Sequence, residues 1–154
     1  MKKVMKSLAV VTVILVVILT FGVVIAPKLA VFDLDDARFS RDPKVVESMK
    51  SDPLIYDGKG PARTASELLG AIETLREKAP QLTVPLLSLH GTEDKVTPPS
   101  GSAWLVEHVG SKDKQLHSFQ GLVHDLLHEP ERAQVIEVIL SWLDAHAVVA
   151  GSGE

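Results

Sequence analysis

Residues Val84–Pro98 read VPLLSLHGTEDKVTP, and they contain the strongest indication of a fold in this sequence. The first part of this stretch, Val84–Leu89, is a short apolar run that ends at a His-Gly pair, a pattern typical of a strand buried on both faces. Its second part is a polar loop with two adjacent carboxylates, Glu93 and Asp94. In open α/β sheets, functional side chains collect on loops at the carboxyl ends of strands. The stretch therefore predicts a parallel sheet with a candidate site at the end of one strand.

A second strand and loop follow the first along the chain. Lys114–Phe119 is the next strand candidate, and the loop after it, Gly121–Pro130, reads GLVHDLLHEP. Adjacent parallel strands lie about 4.8 Å apart, so the two loops can bring Asp94 and His124 within hydrogen-bonding distance. An aspartate in that position fixes the tautomer of a histidine and stabilises its cationic form.

Helical spacing of apolar residues predicts helices around both strands. Thr64 and Glu67 fit a capping box at the start of one helix. A second helix, Ala103–Val109, is expected to close on Gly110 in a left-handed conformation. An apolar stripe over Val135–Leu143 predicts the last helix. Helices that alternate with strands predict an α/β fold with parallel strands and crossover helices, although two strands are too few for a complete sheet.

The N-terminal region contains a long stretch without charge, Ser7–Ala26. Twenty helical residues at about 1.5 Å each would cross a hydrocarbon layer of ~30 Å. Lysines precede the stretch and aspartates follow it, which by the positive-inside rule places the remaining chain outside the cytoplasm. We expect an uncleaved membrane anchor; a cleaved signal peptide and a buried core or cap helix are the alternatives.

The chain divides into four segments by composition. An apolar N-terminal helix is expected over 1–30, a polar connector with one short helix over 31–60, an α/β domain over 61–147 and a frayed tail over 148–154. The formal charge of −4 comes from 16 basic and 20 acidic residues that are mixed along the chain. Without a basic stripe to neutralise phosphates, nucleic acid is not an expected partner. The absence of cysteine excludes a thiolate nucleophile and a cysteine-based metal site.

Together the two loops resemble the C-terminal half of the monoacylglycerol lipase and lysophospholipase group of α/β hydrolases, a group also labelled serine aminopeptidase-like. The resemblance covers most of residues 31–146. It extends back from the loops through three shorter stretches, Phe39–Pro43, Asp52–Tyr56 and Gly60–Ala65.

The resemblance implies a function for several residues. By it, Asp94 matches the acid of a Ser-His-Asp triad, His124 matches the general base, and residues before about Gly60 match the cap over the acyl pocket. The implied substrate is a lipid ester, either a monoacylglycerol or a lysophospholipid, and no cofactor is implied. If the apolar stretch is part of the cap, the expected location changes from the membrane to the cytoplasm.

One departure from the group concerns the nucleophile. No serine of the chain has glycine two residues before and two after it, so the G-x-S-x-G elbow is absent. Ser100 and Ser102 lie near the acid loop, but neither has a strained elbow to expose its hydroxyl. We expect that the N-terminal half of the fold is missing from this chain. The alternative is a membrane-tethered, catalytically inactive domain or interaction module.

Two simpler interpretations compete with the triad. Asp94 could cap the helix that begins near Pro99. His124 and His128 stand four residues apart, the spacing of two metal ligands on one helix face, but Asp125 occupies the place of the glutamate in H-E-x-x-H. The flanking glycine and proline also favour a loop, so we expect no metal site.

Overall fold

The computed structural model describes residues 26–56 and 58–147. They divide into two compact units, of which one comprises 26–34 and 58–78 and the other 35–56 and 79–147. In these residues four strands, β1 to β4 in chain order, span Ala30–Phe32, Gly60–Pro61, Leu86–Gly91 and Lys114–Phe119. Four helices of nine or more residues, α1 to α4, span Pro43–Ser51, Ala62–Lys78, Pro99–His108 and Arg132–His146.

The charge-free N-terminal stretch falls almost wholly outside the described residues, as does the tail over 148–154. The helix predicted over 1–30 can therefore be compared with the structure only at its end, where Ala30 already belongs to β1. Over the ranges that the structure describes, every helix is too short or too polar to cross a bilayer.

The first unit is a small antiparallel pair, β1 and β2, followed by α2. The capping box predicted for α2 is wrong, because the helix begins at Ala62 and Thr64 lies inside its first turn. The backbone N–H groups of Ala62 and Arg63 donate instead to the carbonyl oxygens of Leu29 and Pro27, at 2.8 and 3.1 Å. Backbone carbonyls beside β1 thus satisfy N–H groups that a capping side chain would otherwise bond.

The second unit contains the parallel pair β3 and β4, with α3 as the crossover helix between them. The register runs from Leu86 opposite Lys114 to Gly91 opposite Phe119. The prediction of parallel strands with a crossover helix is confirmed. β4 has the predicted bounds, whereas β3 begins two residues later than Val84, after Pro85, which has no N–H to donate to a ladder.

Gly110 follows α3 for a different reason from the one expected. Among the described residues the glycine with positive φ is Gly121, at 79°. Gly110 instead packs against backbone, since an added Cβ would lie 2.1 Å from the carbonyl oxygen of Pro80. The position needs glycine because of a close approach, not because of a left-handed cap.

The core of the second unit lies where α4 packs against the end of β4. Phe119, Leu122 and Val135 are buried there, and Leu89 is among the half-buried apolar residues packed against them. Because Leu122 follows Gly121 directly, the core anchors the start of the loop that carries His124. Of the predicted apolar stripe of the last helix, Val135 and Ile139 make this contact, whereas Ile136, Leu140 and Leu143 are exposed.

Candidate functional site

The acid loop folds around the side chain of Asp94, which follows β3. Its Oδ1 accepts hydrogen bonds from the backbone N–H groups of Val96 and Thr97, at 2.7 and 3.0 Å. Its Oδ2 accepts from the Thr97 hydroxyl at 2.9 Å. The interpretation of Asp94 as a cap of α3 is wrong, because that helix has Pro98 at its N-cap and no side-chain cap bond. Asp94 organises its own loop instead.

The acid loop and the loop that carries His124 are bonded to each other. The backbone N–H of Glu93 donates to the carbonyl of Leu122 at 3.0 Å, and Gly121 N–H donates to the Thr92 hydroxyl at 2.9 Å. At Gly91 an added Cβ would lie 2.3 Å from the carbonyl oxygen of Leu122. Glycine at that position therefore permits the close approach of the two loops.

Asp94 and His124 meet in a hydrogen bond. His124 Nδ1 lies 2.9 Å from Asp94 Oδ2, and the two side chains are 31% and 3% exposed. A carboxylate only accepts, so Nδ1 carries the proton in this contact. Nε2 is then the ring nitrogen that can accept a proton from a reactant. The structure thus brings together the two residues that the sequence singled out.

The carboxyl group of Asp94 is held in its ionised form. Burial raises its pKa, but hydrogen bonds from His124, from the backbone of Thr97 and Val96 and from the Thr97 hydroxyl outweigh burial and lower the pKa from 3.8 to about 2. The group is therefore a carboxylate at neutral pH. A fixed negative charge beside Nδ1 stabilises the imidazolium that forms when Nε2 takes a proton.

His90 is a neighbour of Asp94 that the sequence analysis missed. Its Nε2 lies 3.0 Å from the carbonyl oxygen of Thr97 and 3.1 Å from Asp94 Oδ2, and its Nδ1 lies 2.7 Å from the Ser102 hydroxyl. Because a carbonyl only accepts, Nε2 carries the proton and Nδ1 accepts from Ser102. Ser102 is thereby paired with His90 and not with His124. The signal in the sequence was the spacing of four residues between His90 and Asp94.

Phe39 is a second missed neighbour, and it comes from a distant part of the sequence. Its ring meets the imidazole of His124 edge to face, with ring centroids 5.1 Å apart at 87°. Its carbonyl oxygen accepts from the backbone N–H of Asp125 at 2.7 Å. Phe39 lies in one of the stretches that carried the family resemblance, which is the only signal the sequence offered.

Glu129 is a third missed residue and is fully buried. Its Oε1 accepts from the backbone N–H of Arg41 at 2.6 Å, and its Oε2 accepts from Arg41 Nε at 2.5 Å. Burial raises the pKa of Glu129, but the bonds from the Arg41 side chain and backbone outweigh burial and hold the pKa below its ordinary value of 4.5. The guanidinium also pairs with Glu131.

The remaining candidates lie apart from the pair. His128 Nδ1 bonds Asp125 Oδ2 at 2.9 Å, and Glu93 pairs with Lys95 at 3.3 Å. Within the described part of the chain, no three side chains of the metal-binding types are grouped to hold an ion.

Comparison with known proteins identifies the family of this chain. The family described as "Serine aminopeptidase, S33" matches residues 2–131. The chain is 40% identical over 122 residues to a monoacylglycerol lipase of Mycolicibacterium smegmatis, covering 79% of this chain and 44% of that protein. It is 32% identical over 130 residues to the monoglyceride lipase of Homo sapiens, covering 83% and 43%.

A solved structure agrees with the sequence comparisons. The crystal structure of Paleococcus ferrophilus monoacylglycerol lipase superposes with a TM-score of 0.76 at 30% identity, covering 87% of this chain and 52% of that one. The chain spans less than half of the length of the curated relatives named above. The resemblance seen in the sequence is confirmed: the chain belongs to the serine aminopeptidase S33 family, among its monoacylglycerol lipase-like α/β hydrolases.

Proposed function

We propose that this chain supplies the acid and the general base of a serine hydrolase that cleaves carboxylic esters of glycerol, with Asp94 as the acid and His124 as the base. The observation that carries the proposal is the 2.9 Å bond between His124 Nδ1 and the buried Asp94 carboxylate, at the carboxyl ends of adjacent parallel strands. The substrate class rests on the names of the relatives, which are monoacylglycerol and monoglyceride lipases.

The geometry supports a two-step reaction through an acyl-enzyme. His124 Nε2 takes the proton of a serine hydroxyl as its oxygen attacks the ester carbonyl carbon. Asp94 keeps the proton on Nδ1 and stabilises the imidazolium. The imidazolium gives its proton to the departing glycerol oxygen as the ester bond breaks. Water then attacks the acyl-enzyme with the same imidazole as base, which releases the fatty acid and restores the serine.

A catalytically inactive domain of the same fold, acting as an interaction module, is the second candidate. The observation that favours it is the absence of a G-x-S-x-G elbow from these 154 residues. Under the first candidate the nucleophile comes from outside these residues or from a serine without an elbow. Under the second candidate, the bonded pair of Asp94 and His124 is retained from the fold family and takes part in no reaction.

The charge-free stretch over residues 7–26 is proposed to be part of the cap and not a membrane anchor. The family match begins at residue 2 and therefore includes the whole stretch. Both alternatives remained open from the sequence, because a buried cap helix and a transmembrane helix are equally apolar.

A fluorophosphonate probe and a short-chain nitrophenyl ester test the activity directly on the full chain. Active chain should be labelled, and both labelling and ester cleavage should disappear after heat denaturation. Ester cleavage should fall roughly 100- to 10,000-fold in His124→Ala, the usual contribution of a general base. His128→Ala is the matched control, an exposed histidine on the same loop, and should keep the activity. A folded chain that resists the probe would exclude a nucleophile among its own serines; it would contradict activity of the chain alone, but not a serine supplied from outside these residues.

A further inference from the structure

Glu129 is a fully buried carboxylate that the reaction above does not use. An ionised carboxylate is stable away from water only where strong partners replace its hydration. Both oxygens of Glu129 are occupied by Arg41, one by the backbone N–H at 2.6 Å and the other by Nε at 2.5 Å. The Arg41 side chain is 39% exposed and the Glu129 side chain is 0% exposed, so Glu129 is the buried member of the pair.

The pair belongs to a longer set of bonds between two distant segments. Three consecutive residues, Phe39–Arg41, each bond the loop that carries His124. Phe39 accepts from the backbone N–H of Asp125 at 2.7 Å, and the Ser40 hydroxyl donates to the carbonyl of His128 at 3.0 Å. Arg41 then bonds Glu129, 88 positions further along the chain. We call this set the Phe39–Arg41 clamp.

The loop depends on such external bonds. Between Gly121 and Pro130 its regular structure is one 3-10 turn, Leu126–His128. A loop without a ladder or a helix of its own keeps one conformation only where other segments hold its backbone. The clamp bonds the residue that follows His124, and it also holds the Phe39 ring 5.1 Å from the imidazole.

We propose that Glu129 is a positioning residue for His124, which acts by holding the Phe39–Arg41 clamp against the loop that carries the imidazole. The inference rests on the proposed function, because the placement of the ring matters only if His124 is the general base. Glu129 itself does not contact the imidazole; its effect passes through Phe39 and the backbone of Asp125.

Proton NMR of the chain labelled with ¹⁵N-histidine tests the proposal without need of esterase activity. The signal to follow is the proton on His124 Nδ1, assigned by its loss in His124→Gln. The variants are Glu129→Gln and the double variant Arg41→Met with Glu129→Met, in which two apolar side chains replace the ion pair and preserve the fold. Glu93→Gln is the control, an exposed carboxylate on the neighbouring loop.

If Glu129 positions His124, the Nδ1 proton signal is present in wild type and in Glu93→Gln. In Glu129→Gln and in the double variant we expect that signal to be lost by exchange with water, while the amide signals of β4 keep their positions. If Glu129→Gln does not fold, the double variant decides alone. A sharp, unshifted Nδ1 signal in the double variant would overturn the positioning role. Absence of the signal in wild type would overturn the acid–base pair itself, a different failure.

Discussion

At the scale of single residues, Asp94 shows how a short loop turns an ordinary carboxyl group into a fixed charge. Both of its oxygens accept bonds from the loop that follows, and one of them also accepts from His124. The pattern Asp-x-x-Thr lies within three positions and was visible in the sequence. The partner histidine lies 30 positions away and could be inferred only from the expected order of strands and from the family resemblance.

The low pKa of Asp94 predicts a loss of stability in acid. The group has an ordinary pKa of 3.8 and a folded value of about 2, so protons bind the unfolded chain more tightly. The Asp94 carboxylate therefore contributes about 2 kcal/mol to the free energy of unfolding above about pH 4, and this contribution is lost as the pH falls towards 2. Urea unfolding between pH 2 and pH 7 measures it. Asp94→Asn should be less stable at pH 7, and its free energy of unfolding should decrease less between pH 7 and pH 2. An equal decrease in wild type and variant would contradict the low pKa of Asp94.

At the scale of elements, the strands and the crossover helix could be predicted from the sequence, but the hydrogen bonds and contacts that join them to other segments could not. Lys114–Phe119 has the bounds that its pattern indicated, because a turn precedes it and Gly121 follows it. The capping box at Thr64 failed because backbone carbonyls from another part of the chain take the N–H groups at the start of α2. The contacts of Phe39 and Glu129 were invisible for the same reason: both join segments that only the tertiary fold brings together.

Gly91 and Gly101 form a matched pair for testing how β3 positions the acid loop. Gly91→Ala would place a Cβ 2.3 Å from the carbonyl oxygen of Leu122, whereas a Cβ at Gly101 would meet no atom within 4 Å beyond its chain neighbours and its own helix backbone. We expect Gly91→Ala to reduce the free energy of unfolding by about 1–3 kcal/mol, the usual cost of overpacking. Gly101→Ala, on α3, should be stabilising by up to ~1 kcal/mol. Equal stability of the two variants in urea unfolding would contradict the close approach.

At the scale of the whole molecule, the described residues form two small units with two-stranded sheets. The family resemblance predicted which half of an α/β hydrolase the chain matches, because its loops have distinctive sequences. It could not distinguish a cap segment from a membrane anchor over residues 7–26, because hydropathy and length are the same for both. Whether residues 7–26 form a cap segment or a membrane anchor depends on what the apolar stretch packs against, and composition does not reveal that.

Carbonate extraction of cells that produce the chain separates the two alternatives for residues 7–26. Because the family match includes the stretch, we expect alkaline carbonate to release the chain into the supernatant. A chain that stays in the pellet would identify an integral anchor and would move the remaining residues to the extracytoplasmic side. A known integral membrane protein of the same cells serves as the control for extraction.

The pairing of Asp94 with His124 is tested by the tautomer of His124 in its neutral form, read from ¹⁵N chemical shifts of the imidazole. We expect a proton on Nδ1, bonded to Asp94 Oδ2, and a proton-free Nε2. In Asp94→Asn this preference should be lost, because an amide can present a donor to the same nitrogen. A wild-type His124 with its proton on Nε2 would contradict the assignment of this histidine as the base of a serine hydrolase.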